Sequence, residues 1–400
     1  MITTLLFDLD DTLLGNPLDA FLRGYFGQMA RHFALGEVDA KRLVDAVFYG
    51  TNVMVANTDP TRELLGIFYE AFFPKLGWEA AENIPRFDEF YQVRFPKLQP
   101  LTEYRPAARA VMEWAFGVGY QVVIATSPIF PMRAVRERMR WAGVDDFPYA
   151  LVTAIEKCHF AKPHPEYFAE VLARLDKRPD EALVVGNDWE ADMVPAARLG
   201  LPHYWIASPE SVPPANTAHP VGIGPLEAFL EWAPLHLPAL AAPALPDTGL
   251  PILLTGDLAE LAGLLADLPE AAWQRRPEPG EWSLGEIVCH LRDIEKEVYV
   301  PRLLATLESD NPILASVNTA NWAEERGYQA QAGPEAWAAF VQARRDAYSF
   351  LGCLPESAWH RSARHPRLGN LTLARQVGRI MDHDRSHLAQ VRVTRQKAVQ

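Results

Sequence analysis

Apolar and polar positions change rhythm once along this chain. Upstream of about residue 233, short and nearly continuous apolar runs alternate with helical stretches; the runs are Thr4 to Phe7, Gln121 to Ala125, Ala150 to Thr153, Ala182 to Val185 and His203 to Ile206. A strand covered on both faces reads as an unbroken apolar run, and strands alternating with helices assemble into a parallel sheet. The expected fold class is therefore α/β, a Rossmann-like parallel sheet. Residues 17 to 100 lie between the first two strands and carry aromatic-rich amphipathic patterns, Ala20 to Phe33 and Leu64 to Phe73. That is far longer than a crossover requires, so the spacing predicts an inserted helical subdomain.

Downstream the period is helical: Leu258 to Leu268, Ser283 to Leu307, Glu335 to Leu351 and Leu371 to Arg395. No strand pattern is read there, and helices of this number and length predict an all-α four-helix bundle. Ser283 before Leu284, with Glu286 three residues on, is a capping-box start, and Gly280 suits the turn ahead of it. Between the halves, 233–251 is too dense in proline for helix or central strand and predicts a semi-rigid extended spacer. The expected organisation is a core from 1–16 and 101–232, an inserted helical cap over 17–100, a Pro/Ala linker over 233–251 and the bundle over 252–400.

Composition narrows the function classes. With 49% hydrophobic and 22% charged residues in 400, the chain has material for real cores and is not disordered. A net charge of -13, with no dense Lys/Arg cluster, argues against nucleic acid. Trp273, Trp282, Trp322, Trp337 and Trp359 then read as core filling, not as a stacking platform for bases. The start lacks a basic n-region, and no run is read as reaching the ~20 apolar residues that span a bilayer. A cytoplasmic protein with no membrane segment is expected. Cys158, Cys289 and Cys353 are odd in number and lack C-x-x-C spacing, which predicts reduced thiols.

The strand Leu5-Leu6-Phe7 runs into Asp8-Leu9-Asp10, placing carboxylates at the carboxyl end of a parallel strand, where α/β sheets bind ligands. One carboxylate of such a pair can attack while the other protonates a leaving oxygen. A lone D-x-D would be a solvated turn, but three further strand ends contribute. Thr126 and Ser127 offer hydroxyls for a phosphoryl oxygen, Lys162 an ammonium, and Asp188 with Asp192 carboxylates suited to Mg²⁺. Taken in this order, the motifs resemble the haloacid dehalogenase superfamily of phosphohydrolases over residues 1–232. The resemblance implies Asp8 as nucleophile, Asp10 as general acid/base, Thr126 and Lys162 as the phosphate-orienting pair, and Asp188 and Asp192 with Asp8 and Asp10 as Mg²⁺ ligands. One departure stands: Asn187 intervenes between Gly186 and Asp188, so an alignment anchored on Asp192 makes Asn187 the first ligand. Dehalogenation would not need Asp10, so having both aspartates favours phosphoryl transfer.

In the second half, His383 and His387 stand at i and i+4, one turn apart on one helix face, and His290 lies on another helix. Three imidazoles can hold one metal ion with a position left open; the alternative is buried core histidines. The stretch Gly280 to Asp293, with Trp282-Ser283 and His290-Leu291, paired with His383 to Gln390, resembles DinB-like four-helix bundles over 252–396. That implies a Zn²⁺ or Ni²⁺ site on the three histidines. Asp293 and Asp382, near in sequence, are candidate acceptors for their N–H groups. The combined expectation is a Mg²⁺-dependent phosphohydrolase acting on a small phosphorylated metabolite through an aspartyl-phosphate, fused to a metal-binding bundle able to pair into a homodimer. The alternative is a metal-dependent, thiol-dependent transferase or binding protein whose hydrolase half is vestigial.

Overall fold

The computed structural model describes residues 1–214 and 219–399. It contains two compact units, Met1–Leu245 and Pro246–Gln400. The first runs β1 (Thr4–Phe7), β2 (Leu14–Gly15), α1 (Leu18–His32), α2 (Glu37–Val55), α3 (Leu64–Leu76), α4 (Ala80–Val93), β3 (Glu103–Tyr104), α5 (Pro106–Val118), β4 (Gln121–Ile124), α6 (Met132–Trp141), β5 (Leu151–Val152), α7 (Pro165–Leu175), β6 (Ala182–Gly186), α8 (Val194–Arg198), β7 (His203–Ile206), β8 (Gly222–Gly224) and α9 (Leu226–His236).

The main sheet has the order β5-β4-β1-β6-β7-β8, with every pair parallel. Leu5, Leu6 and Phe7 of β1, the central pair Val122 and Val123 of β4, and Leu183 and Val185 of β6 are all fully buried. Burial on both faces is why these strands read as continuous apolar runs, each side chain contributing roughly 1.5–3 kcal/mol. The edge strand β8 escapes the pattern because Gly222-Ile223-Gly224 holds one apolar side chain. Glycine is required there: a Cβ at Gly222 would stand 2.5 Å from the Tyr204 ring.

Between β1 and β4 the chain leaves through β2 and returns through β3, which pair antiparallel (Leu14 with Tyr104, Gly15 with Glu103). The helices α1 to α4 lie between these two strands. They share one apolar core with the sheet layer, through edge-to-face contacts such as Phe21 with Phe95, Phe130 and Trp141.

The second unit runs α10 (Leu250–Leu265), α11 (Glu270–Gln274), α12 (Leu284–Ile294), α13 (Val300–Glu308), α14 (Trp322–Glu325), α15 (Gly333–Leu351), α16 (Glu356–Trp359), β9 (Ser362–His365), β10 (Gly369–Thr372) and α17 (Leu373–Val399). A π turn, Glu295–Tyr299, joins α12 to α13 into one long helix. With α10, α15 and α17 it forms the four-helix bundle; α12 packs on α15 and α10 on α17. The capping box holds: the Glu286 N–H donates to Ser283 Oγ (3.3 Å) and the Ser283 N–H to Glu286 Oε2 (2.9 Å).

Three readings are corrected here. Strand is present downstream, as the antiparallel hairpin β9–β10; Ser-Ala-Arg-His and Gly-Asn-Leu-Thr each hold one apolar residue and so carry no period. Within 233–251, α9 continues to His236 and α10 begins at Leu250, so the irregular stretch is shorter than its proline content implies. Among the described residues one helix, Asp247–Leu265, is long and apolar enough to cross a membrane, with mean hydropathy 1.3, although 67% of that stretch is buried. The tryptophans Trp273, Trp322 and Trp359 are buried, as core filling requires.

Candidate active site and histidine cluster

Asp8 sits one residue beyond β1, its N–H donating to Val185 O of β6 (2.9 Å), so the sheet itself sets its position. Lys162 Nζ donates to Asp8 Oδ1 at 2.7 Å and to Asp192 Oδ1 at 2.5 Å. All three side chains are withdrawn from solvent, with exposures of 3% for Lys162, 11% for Asp8 and 1% for Asp192. Burial pushes the Asp8 carboxyl up to about 7 against the pull of Lys162, with Asp192 adding to the rise. Burial opposes the Lys162 charge, but Asp192 and Asp8 outweigh it and hold the ammonium above its ordinary range.

Thr12 bridges to the next strand end: its Oγ lies 3.3 Å from Asp8 Oδ2 and 3.1 Å from Asn187 Oδ1. Asn187, directly after β6, thus has its side chain in the Asp8 cluster. Asp188 does not. It is exposed, and its Oδ1 accepts the Ala191 N–H (2.8 Å) at the head of the π turn Trp189–Met193. Asp192, at the far end of that turn, comes back under β6, where its Oδ2 accepts the Asp188 N–H (3.1 Å). Gly186 is needed because a Cβ there would overlap the Asp192 carboxylate.

Thr126, at the end of β4, is buried; its carbonyl accepts Thr153 Oγ (2.7 Å) and the Tyr167 hydroxyl (2.9 Å), which anchors the loop carrying it and Ser127. Asp10 is held differently. Its carboxylate pairs with the Arg138 guanidinium of α6 and accepts Asn16 Nδ2 at 3.1 Å. Arg138, 1% exposed, lies over the Phe130 ring. Arg105 donates to the carbonyls of Asp11 and Thr12, stapling the turn after Asp10, where Asp11 adopts a left-handed φ of 55°. Neither arginine was legible as a site residue, since each lies about a hundred residues from the turn it holds.

Asp10 and Arg138 border a cavity of about 280 Å³ under α1 to α4. Phe21, Phe26, Phe68, Phe72 and Phe130 line it with the polar Asn16, Thr51, Tyr69 and Asp88, and the Tyr25 and Tyr91 hydroxyls lie 2.8 Å apart on its wall.

In the second unit α12 and α17 bring three imidazoles together. His383 Nε2 lies 3.3 Å from His290 Nε2 and 3.2 Å from His387 Nε2, and a ligand atom from each lies within 4.8 Å of the others. Ligands about 2.0–2.1 Å from a tetrahedral ion stand about 3.3 Å apart, so the spacing fits a bound cation. Burial, then His387 and His383, push His290 down to about 3; burial, then His383, push His387 down to about 4. Both therefore present neutral lone pairs near neutral pH. His387 Nδ1 lies 2.9 Å from Gln390 Oε1; its N–H donates there, which leaves the Nε2 lone pair facing the cluster. Trp282 covers the cluster, its ring parallel to His387.

The expected acceptors are corrected. Asp293 is occupied by Arg292, Arg326 and the Tyr328 hydroxyl, and Asp382 is exposed without a bond to a histidine; Gln390 fills the role.

The family model described as haloacid dehalogenase-like hydrolase matches residues 2–200, and that of the DinB superfamily matches residues 253–391. The chain is 27% identical over 213 residues to the glyceraldehyde 3-phosphate phosphatase of Pyrococcus abyssi, spanning 52% of this chain and 82% of that one. Among solved structures, a HAD phosphatase from Thermococcus onnurineus matches at 19% identity and TM-score 0.39, covering 58% of this chain and 97% of that one. YfiT from Bacillus subtilis, with a four-helix bundle topology, matches at 16% identity and TM-score 0.32, covering 48% and 92%.

Proposed function

The chain joins a haloacid dehalogenase-like hydrolase unit to a DinB-like unit, and from that premise we propose that the first unit is a Mg²⁺-dependent phosphatase working through an aspartyl-phosphate on Asp8. The observation that carries the reading is the buried Lys162 ammonium shared by Asp8 and Asp192 at the carboxyl end of the sheet. It keeps an anionic nucleophile within reach of an anionic substrate.

In this reading an Asp8 oxygen attacks phosphorus and the ester P–O bond breaks. Asp10, at the cavity edge beside Arg138, draws a proton from solvent as the substrate enters and gives that proton to the leaving alcohol. Water deprotonated by Asp10 then attacks phosphorus, freeing inorganic phosphate and returning the Asp8 carboxylate. Thr126, Ser127 and Lys162 orient the phosphoryl oxygens. The side-chain oxygens of Asp8 and Asn187, both within hydrogen-bond distance of Thr12 Oγ, are donors of the kind that would hold Mg²⁺, which when bound offsets repulsion between nucleophile and substrate. Asp192 acts through Lys162, and Asp188 as a cap on the π turn. The aromatic wall of the cavity favours a small phosphomonoester whose alcohol portion is apolar. Buried, unpaired Cys158 and Cys289 accord with a cytoplasmic enzyme.

In the second unit, His290, His383 and His387 hold a divalent transition metal, Zn²⁺ or Ni²⁺, on the strength of their mutual spacing and lowered proton affinity. The test uses the full chain. Wild type hydrolyses phosphomonoesters from a metabolite panel only with Mg²⁺, and Asp8→Asn lowers kcat by several orders of magnitude; undiminished turnover in that variant sinks the reading. Elemental analysis after metal supplementation finds one Zn or Ni per chain, lost in His387→Ala.

A further inference from the structure

The histidine cluster opens onto a cavity of about 580 Å³ whose wall carries Arg302, Arg367, Arg379 and His365, with Gln376 at its side. Five arginines of this unit are matched to carboxylates: Arg276 to Glu286, Arg292 and Arg326 to Asp293, Arg344 to Asp384 and Arg392 to Glu260. Arg302, Arg367 and Arg379 are among the arginines with no carboxylate within ion-pair distance among the described residues; Arg302 donates only to the Ala315 carbonyl (2.9 Å), and what sets the three apart is that all border this one cavity. The only acid on its wall is the exposed Asp382.

The three cations act on a common point. Burial, then Arg302, Arg379 and Arg367, push His365 down, so the three positive fields overlap at one imidazole. His365 Nδ1 accepts the N–H groups of Arg367 (3.2 Å) and Leu368 (3.3 Å), which leaves Nε2 as a neutral donor. Four polar atoms of the cavity's lining residues lack partners among the described residues: His290 Nδ1 and His383 Nδ1 at the histidine end, and beside the arginines Arg302 Nε and Gln376 Oε1, the last on a side chain that is 7% exposed and whose amide nitrogen donates to Thr306 Oγ at 2.9 Å. Like charges gathered around a void repel, and unpartnered buried polar groups cost free energy. An oxyanion ligand would relieve both. Guanidinium is the side chain whose planar fork matches carboxylate and phosphate.

We propose that this cavity is a binding site for a small organic molecule carrying two oxyanion groups, which lie against Arg302, Arg367 and Arg379, while an uncharged remainder extends toward His290 and His383. A volume of about 580 Å³ accommodates such a remainder. The site is distinct from the phosphoryl-transfer centre, and the proposal does not depend on that centre's activity.

Isothermal titration calorimetry on the full chain tests it, with succinate as the dicarboxylate probe, phosphonoacetate as the phosphorus-bearing probe and succinamide as the neutral control. At least one dianion should bind with Kd of about 1 mM or tighter, and more weakly as salt is raised. Succinamide should not bind. Arg302→Gln combined with Arg379→Gln should raise Kd at least about tenfold. If that double variant fails to fold, the exposed positions carry the test: Arg367→Gln and Arg379→Gln should each raise Kd about threefold or more. Preference between the two dianions tells a dicarboxylate from a phosphorylated ligand. Absence of binding by either, equal binding of succinamide, or arginine variants with unchanged Kd would overturn the proposal.

Discussion

Replacing Lys162 with methionine keeps the volume of the side chain and deletes the one cation between two buried carboxylates. Breaking a buried ion pair by removing one partner typically costs about 3–5 kcal/mol. Here two anions lose the same partner, 2.7 and 2.5 Å away. One of them has an escape: the Asp8 carboxyl already lies at about 7 with the lysine present, so at neutral pH it takes up a proton at little further cost. Asp192, 1% exposed, loses its counter-charge in a buried position, and it sets the penalty. The expected loss is therefore that of one broken pair, about 3–5 kcal/mol, or roughly 6–20 °C in Tm at 2–4 °C per kcal/mol for a unit of this size. Calorimetric scans of the full chain read it, and adding Asp192→Asn to Lys162→Met should restore part of the loss, with a coupling of roughly 1–3 kcal/mol. A loss under about 1 kcal/mol, or costs that add within about 0.5 kcal/mol, would refute the view of Lys162 as shared counter-charge.

Arg138→Met leaves Asp10 without its guanidinium, and kcat should fall about 10–100-fold with the fold retained by circular dichroism; Arg138→Lys should rescue poorly, because an ammonium lacks the planar fork. Gln390→Leu removes the acceptor that fixes the His387 tautomer and should weaken transition-metal binding about 10–100-fold in a chelator competition. Asp257 is 1% exposed, with both oxygens unbonded and Arg385 3.7 Å away, and burial pushes its carboxyl up to about 7. The folded state therefore binds this proton more tightly than the unfolded one, and stability falls as pH rises from about 4 to about 7. Urea unfolding at several pH values should show that slope, worth up to about 4 kcal/mol, and its loss in Asp257→Asn.

How legible each part was follows from how local its cause is. The central strands declare themselves because both faces are buried, and Asp8 declares itself because a carboxylate directly after such a strand must lie at the sheet edge. His383 and His387 are legible for a similar reason: one helical turn separates them. The Asn187–Asp188 ambiguity has no local solution in the sequence, since both follow Gly186; in the fold the π turn engages Asp188 with the Ala191 N–H and returns Asp192 beneath the strand, while the Asn187 side chain lies beside Thr12. The Asp10–Arg138 pair spans 128 residues of sequence and depends on how α6 packs. Asp293, close in sequence to His290, is drawn off by Arg292 and Arg326, which is why sequence proximity misassigned the acceptor that Gln390 provides.

The central claim, phosphoryl transfer to Asp8, is tested most directly by trapping the intermediate. Full-length protein with Mg²⁺ is mixed with a ³²P-labelled phosphomonoester that it hydrolyses, quenched in acid within the first turnover, and digested for mass spectrometry. The account predicts phosphate on the peptide containing Asp8, stable to acid and released by hydroxylamine as an acyl phosphate must be, and absent from Asp8→Asn. Turnover with no label on Asp8 at any quench time, or label on another residue, would contradict it.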